Sequence, residues 1–424
     1  TDKSFIKNKD NDIKGMITFI YETEERRIGD NPTGNQEFCI PEGEELEKSK
    51  EFTRKYIERY DGDDDFGCDL KAPDCYKARD NLYPSQEVQE AIKQKPNHYW
   101  QIENEFTYQV KDCENNPEGE YLSKEKITDF VKEMSNTIRE TDDKAVVVGP
   151  SFTGYEQVLL YDNRIDYIEI GKTDCRYRKI YYEDLEGHNQ LENVAIQKER
   201  FEYLLTEATD FYDVIDFHYY GNNYYLPEPF MAWMDDLGLS DKKVFSTEIA
   251  TPHYFFEAIG SEQPTECVNS GRDIRTPDRY DEAILSSSII KTYVVALNAG
   301  VDELYWASLT ELFDPYTDTF RRPALISEEG VKKPAFYTYK LMVEKIYGFT
   351  SVKEIEEDIY LFSFEDGKRI IVAWSEEDKI INLSYLVSGE VGVTYLITEE
   401  SETTAKTEIT SSSSILITDQ PIFI

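Results

Sequence analysis

The feature that most narrows the folds open to this chain is an alternation, kept up as far as residue 348, of short apolar runs with longer amphipathic stretches. MITFIYE (16–22), HYWQIENEF (98–106), AVVVGPSF (145–152), VIDFHYYG (214–221), KVFSTEIATP (243–252) and VDELYWASL (301–309) are rich in β-branched and aromatic residues and read as strands. Between them, residues 44–60, 123–140, 193–212, 278–300 and 335–348 repeat apolar positions at helical spacing, as Leu46, Phe52, Tyr56 and Ile57 do, and 227–239 continues the pattern. Strands apolar on both faces, alternating with helices, predict an α/β architecture with a parallel sheet covered by helices. No glycine-rich phosphate loop follows any strand, and polar residues with useful chemistry sit at the C-terminal ends of several strands. Both points favour a TIM-type (β/α)8 barrel over an open doubly wound sheet.

Helical periodicity stops near residue 348. IYLFSF, KRIIVAWS, KIINLSYL, GVTYLIT, SSILIT and QPIFI then follow as short strands broken by Glu, Asp, Gly and Ser, with Ser411 to Ser414 marking a turn into a strand. The expected organisation is therefore a barrel domain over 1–348 and a small all-β domain, a β-sandwich, over 349–424. The second domain has neither Cys nor His and offers little for catalysis.

Eighty-five acidic against forty-six basic residues leave a formal charge of −39, which repels a phosphate backbone and an anionic membrane surface. Nucleic acid and membrane are thus excluded as expected partners, and no run of 18 apolar residues offers a bilayer span. The opening TDKSFIKNKDND lacks the apolar core of a secretory signal, so a signal peptide would have to lie upstream. Six cysteines (Cys39, Cys68, Cys75, Cys113, Cys175 and Cys267) show no zinc spacing such as C-x-x-C; their even number fits disulfides in an oxidising, extracellular setting, with free thiols as the alternative. Asp61, Asp63 and Asp65 offer carboxylates at alternate positions, but Gly67 is one place late for an EF-hand and Ala72 stands where a bidentate Glu is needed. A solvated acidic loop is the plain reading and a looser Ca²⁺ site the alternative; no other cofactor or metal is expected.

The chemistry concentrates in two strands that end in Glu. Tyr99 to Ile102 runs into Glu103-Asn104-Glu105, and Val244 to Thr247 runs into Glu248. A carboxyl group at the mouth of a barrel strand lies where loops exclude water and raise its pKa. Two of them facing across a sugar ring, about 5 Å apart, would serve as nucleophile and acid/base in a retaining glycosidase. Taken singly, a strand-ending Glu also suits a cap or a surface carboxylate.

Asn104-Glu105 after a Trp-containing strand, His218-Tyr219-Tyr220, Glu248 on the next strand and Trp306 on the last resemble glycoside hydrolases of clan A, near families 39, 30 and 5. The resemblance extends over residues 16–424 and implies an eight-stranded barrel with the acid/base on strand 4 and the nucleophile on strand 7. Carried over residue by residue, it makes Glu105 the acid/base and Glu248 the nucleophile. Asn104 would bond the hydroxyl beside the anomeric carbon, His218 and Tyr220 would orient nucleophile and substrate, and Trp306 would form a platform under the ring. The bland alternatives are a buried, hydrogen-bonded His218 and a core Trp306; Trp100 reads as core and Glu103 as a barrel-wall carboxylate. A catalytically inactive carbohydrate-binding or structural barrel is the competing reading of the whole chain.

Two departures stand out. Phe106 follows Asn104-Glu105 where many such enzymes carry Pro. In addition, only MITFIYE and the helix after it precede the strand read as fourth, so the first two barrel strands are expected to be missing, as in an N-terminally truncated sequence; the alternative is that another segment, such as 61–97, supplies them. The stretches 151–192 and 251–277 are long for barrel loops, and the first is dense in Tyr and Arg suited to a saccharide. Each holds one cysteine, which predicts Cys175 near Cys267; Cys68 and Cys75 form a second plausible pair.

Overall fold

The computed structural model describes residues 15–19, 38–62, 85–103, 110–111, 123–152, 158, 161, 167–171, 177–181, 190–220, 224–250, 282–307, 309–310, 313–314, 319–320, 324–327, 329–399 and 401–424, some of them, such as Cys39, Tyr220 and Ala250, by their backbone alone. The strands are β1 (Ile17–Phe19), β2 (Phe38–Cys39), β3 (Tyr99–Ile102), β4 (Val110–Lys111), β5 (Val146–Phe152), β6 (Tyr167–Gly171), β7 (Tyr177–Tyr181), β8 (Val214–Phe217), β9 (Tyr219–Tyr220), β10 (Lys243–Ala250) and β11 (Glu303–Trp306). After β12 (Phe313–Asp314) and β13 (Thr319–Phe320) come β14 (Ser351–Glu356), β15 (Ile359–Ser363), β16 (Arg369–Ala373), β17 (Lys379–Ile381), β18 (Glu390–Tyr395), β19 (Thr407–Ser411), β20 (Ile415–Ile417) and β21 (Ile422–Phe423). The helices are α1 (Gly43–Tyr60), α2 (Gln86–Gln94), α3 (Lys124–Thr141), α4 (Gln190–Glu207), α5 (Pro227–Asp236), α6 (Glu282–Ala299) and α7 (Pro334–Ile346).

The main sheet follows the order β1-β3-β5-β8-β10-β11, with β9 also on β10, and its registers from β1 to β10 are parallel. This is the strand-helix alternation of a TIM-type barrel, followed by antiparallel sheets. β1, read from the sequence as a third barrel strand, stands at one end of the order, and among the described residues no strand lies beyond it. Of the stretch 61–97, considered as a source of strands, residues 63–84 lie outside the described residues, and the part after them contains helix α2. Ser85 caps it by accepting the Val88 N–H at 3.3 Å, and Val88, Ala91 and Ile92 form its buried stripe.

The chain divides into two compact units, the first comprising residues 1–157, 189–218 and 234–245. In it β8 is buried along its whole length, and Val214, Ile215 and Phe217 each contribute about 1.5–3 kcal/mol of apolar burial. Trp100 faces the helical layer: its ring stacks on Phe19 and its indole N–H is donated to Asp142 Oδ2 at 2.9 Å, just past the end of α3. That acceptor lets the polar end of a fully buried Trp enter the core. Helix α3 presents Ile127, Phe130, Val131, Met134 and Ile138 at helical spacing, with Ser123 as its N-cap.

The second unit comprises residues 158–188, 219–233 and 246–424. Its C-terminal part is a six-stranded antiparallel sheet, β14-β15-β16-β21-β18-β19, with the β17-β20 pair beside it, as expected of an all-β domain. The terminal Ile422-Phe423 strand lies inside that sheet, bonded to β16 on one side and β18 on the other. Ile359, Ile371, Leu383, Ile415 and Ile417 form its core. Helix α6 is buried on nearly every side, and its hydroxyls meet this domain: Ser286 donates to the Ile397 carbonyl at 2.9 Å and Ser287 to that of Asp419 at 3.2 Å. Within the stretch 151–192, β6 and β7 form an antiparallel hairpin, so this segment is in part regular structure and not loop throughout.

Candidate functional site

Four neighbouring strands of the first unit place a polar chain in an otherwise apolar interior. Thr18 on β1 donates its hydroxyl to Gln101 Oε1 on β3. The Gln101 amide donates onward to Ser151 Oγ on β5 at 2.7 Å and to Asp216 Oδ2 on β8 at 2.6 Å. Ser151 donates to the same Asp216 oxygen at 2.6 Å, and His218 Nε2 lies 3.0 Å from it. Gln101, Ser151, Asp216 and His218 are all buried, and the hydrogen bonds offset what would otherwise be a heavy desolvation cost.

The chain exists because of one extra residue in β5. Val148 pairs with Val214, but Ser151, not Pro150, pairs with Asp216. This bulge at Gly149-Pro150 turns Ser151 onto the face that carries Val148 and Asp216. A side chain at Gly149 would be crowded: a Cβ there would sit 3.1 Å from the Val214 carbonyl oxygen and 3.2 Å from Tyr212 Cγ.

The strand ends of this unit are held at the level where a barrel carries its chemistry. His218 donates its backbone N–H to the Phe152 carbonyl at 2.7 Å, and Glu103 donates its own to that of Phe19 at 2.9 Å. Glu103 is buried and has φ 60, in the left-handed region that a non-glycine residue enters only at a cost of order 1–3 kcal/mol. Strain is thus stored in the residue immediately before Asn104-Glu105.

In the second unit Glu248 lies near the C-terminal end of β10 and is half-buried. The next residues, Ile249 and Ala250, pair with Tyr219 and Tyr220 of β9, and the Ile249 carbonyl accepts the N–H of Ala307, just past Trp306. The C-terminal ends of β9, β10 and β11 are therefore brought together. Trp306 is half-buried, stacks on Tyr293 with ring centroids 6.5 Å apart, and lines a cavity of about 500 Å³ with Leu304, Tyr305, Leu325, Tyr339 and Tyr347. Tyr305 donates its hydroxyl to Glu303 Oε2 at 2.7 Å in this aromatic groove. Burial holds the Tyr219 and Tyr293 hydroxyls well above the usual phenol range, so both stay protonated donors, Tyr219 to the Thr292 carbonyl and Tyr293 to that of Leu304.

No protein-family model matches the sequence, and no curated protein matches it either. Solved structures do. The family 51 α-L-arabinofuranosidase of Thermotoga petrophila RKU-1 superposes at TM-score 0.55 with 12% identity, over 100% of this chain and 78% of its own. The fold is shared with glycoside hydrolases. The family 51 α-L-arabinofuranosidase AbfB of Bifidobacterium longum matches at TM-score 0.50 with 13% identity, over 100% of this chain and 78% of that one. The α-L-arabinofuranosidase of Thermotoga maritima matches at 0.50 with 13% identity, over 92% and 75%.

Of the residues singled out from sequence, Glu248 and Trp306 come to adjacent strand ends, and His218 enters the buried chain of the first unit. Tyr220 is on β9, with its side chain outside the described residues, and Asn104 and Glu105 lie outside them altogether. So do Asp63, Asp65 and every cysteine but Cys39, so the proposed Ca²⁺ loop and the Cys175–Cys267 and Cys68–Cys75 pairs fall there too. Among the described residues no group of three or more His, Cys, Asp or Glu could hold a metal, and no helix is long and apolar enough to cross a membrane. Sequence reading passed over Gln101, Ser151 and Asp216. The signal for two of them was a polar residue inside a run apolar on both faces, WQI and IDF.

Proposed function

We propose that this chain is a retaining glycoside hydrolase cleaving O-glycosidic bonds of poly- or oligosaccharides by double displacement. The observation that carries the reading is the position of Glu248, half-buried near the end of β10 between the ends of β9 and of the Trp306 strand. A fold shared with glycoside hydrolases supports it. Glu105, in the segment directly after strained Glu103, acts as acid/base.

In the first step the Glu105 carboxyl protonates the leaving oxygen while the Glu248 carboxylate attacks the anomeric carbon and forms a glycosyl-enzyme. Glu105, now a carboxylate, takes a proton from water, which attacks the same carbon from the face the leaving group vacated and breaks its bond to Glu248, releasing that carboxylate; configuration is retained. Asn104 offers both donor and acceptor to the hydroxyl beside the anomeric carbon. Trp306 supplies an apolar face for the C–H side of the sugar, and His218 and Tyr220 orient the reacting groups. Arabinofuranosides head the substrates to try, because several similar structures are α-L-arabinofuranosidases.

The test is azide rescue on aryl glycosides. Glu248→Ala is expected to lose turnover and, with azide, to give a glycosyl azide of inverted configuration; Glu105→Ala with azide gives the retained one. Full activity in either variant would end the assignment.

A further inference from the structure

The polar chain of the first unit determines more than the place of His218. One oxygen, Asp216 Oδ2, is reached by Gln101 Nε2, Ser151 Oγ and His218 Nε2 at 2.6, 2.6 and 3.0 Å, and Asp216 and His218 are both fully buried. The amide nitrogen of Gln101 is a donor only. Its orientation is set from the other end, where Thr18 donates to Oε1. Ser151 accepts one of the two amide protons and so has its own hydroxyl proton left for Asp216. A carboxylate accepts from all three neighbours, and every proton in the chain then has an acceptor. A proton on Oδ2 would make that oxygen a donor toward one neighbour and would set it against the Gln101 and Ser151 protons already aimed at it. The satisfied arrangement needs an Asp216 Oδ2 that carries no proton and a proton on His218 Nε2.

We propose that Asp216 is a positioning residue that holds neutral His218 as its Nε2–H tautomer and leaves Nδ1 as the nitrogen able to accept a hydrogen bond. The consequence rests on the glycosidase reading: neutral His218 accepts a hydrogen bond from a hydroxyl donor and does not donate to the nucleophile carboxylate. Asp216 acts through His218 and not on substrate. The bulge at Gly149-Pro150 and the Thr18-Gln101 pair belong to the same device, since they aim two of the three donors.

The ring nitrogens can be read directly, because the chain has only four histidines. Nitrogen-15 NMR of the whole chain, with His218 assigned by the signal lost in His218→Gln, is expected to show protonated Nε2 and bare Nδ1 in the neutral ring. Asp216→Asn should mix the tautomers and lower kcat/KM roughly ten- to hundredfold, the range found when a group that orients a metal-binding His is removed. Ser151→Ala keeps the carboxylate and should keep the wild-type tautomer. A wild-type ring protonated at Nδ1, or an Asp216→Asn ring still wholly Nε2–H, overturns the inference; the wild-type spectrum decides the matter even if Asp216→Asn fails to fold. An inactive wild type with the expected tautomer would sink the glycosidase reading alone, and an active wild type with the other tautomer would sink this inference alone.

Discussion

Gly149→Ala tests whether a close backbone approach holds the β5 bulge in place. Gly149 does not have positive φ, so alanine meets no dihedral penalty there and the cost is purely one of space. The new Cβ would lie 3.1 Å from the Val214 carbonyl oxygen and 3.2 Å from Tyr212 Cγ. Neither neighbour yields easily: Val214 opens a strand buried from end to end, and buried Tyr212 is tied by its hydroxyl to the Leu205 carbonyl at 2.7 Å. Forcing a methyl into such a contact costs about 1–3 kcal/mol. The stiffer unfolded chain returns about 0.4–1 kcal/mol, leaving a net loss of about 1–2 kcal/mol. In urea unfolding followed by circular dichroism, with m near 3 kcal/mol per M, the midpoint should fall by about 0.3–0.7 M at unchanged m. A variant as stable as the parent would refute the reasoning, because β5 and β8 could then separate freely and nothing local would fix the register that aims Ser151.

Asp142→Ala leaves the Trp100 indole N–H buried without its acceptor and should cost about 1–3 kcal/mol in the same assay, whereas Asp142→Asn keeps an acceptor and should lose less. Phe423→Ala, at a fully buried site between two strands, should cost about 3–5 kcal/mol, with amide-exchange protection falling in β16 and β18 together. Burial holds Lys291 of α6 below its ordinary value of 10.5, against the opposing pull of Asp419, Asp358 and Glu376. Between that lowered value and 10.5 the unfolded chain binds more protons, so stability should rise as pH climbs through the window; Lys291→Met should abolish that rise in urea unfolding run at a series of pH values.

The barrel strands were legible because a strand buried on both faces has few alternatives to a continuous apolar run, and VIDF is buried at all four positions. The strand-end positions of Glu248 and Trp306 were legible because Glu248 closes an apolar run and Trp306 closes the half-buried strand ELYW. The strand β14 was not, since a register shift between Glu354 and Glu356 puts its apolar residues, Val352 and Ile355, three apart and breaks the two-residue period. In β19, TEITS, exposed side chains dominate and leave no face to recognise. Helix α2 is nine residues long, too short for its period to stand out. In the candidate site, Gln101 and Asp216 broke apolar runs and could have been flagged. Ser151 could not, because strict alternation from Val148 assigns it to the opposite face, and only the pairing with β8 reveals the added residue.

Helix α6 has a consequence for how the C-terminal β domain can be handled. Its Ser286 and Ser287 hydroxyls end on carbonyls of that domain, and on α7 Thr338 both donates to the Ile397 carbonyl and accepts its N–H. A cut near residue 348 would therefore orphan buried acceptors on one piece and expose a helix with hardly any polar face on the other. The β domain is no portable module to be grafted or expressed by itself. It is built onto helices α6 and α7, and its Ile397 and Asp419 backbone groups depend on theirs for partners.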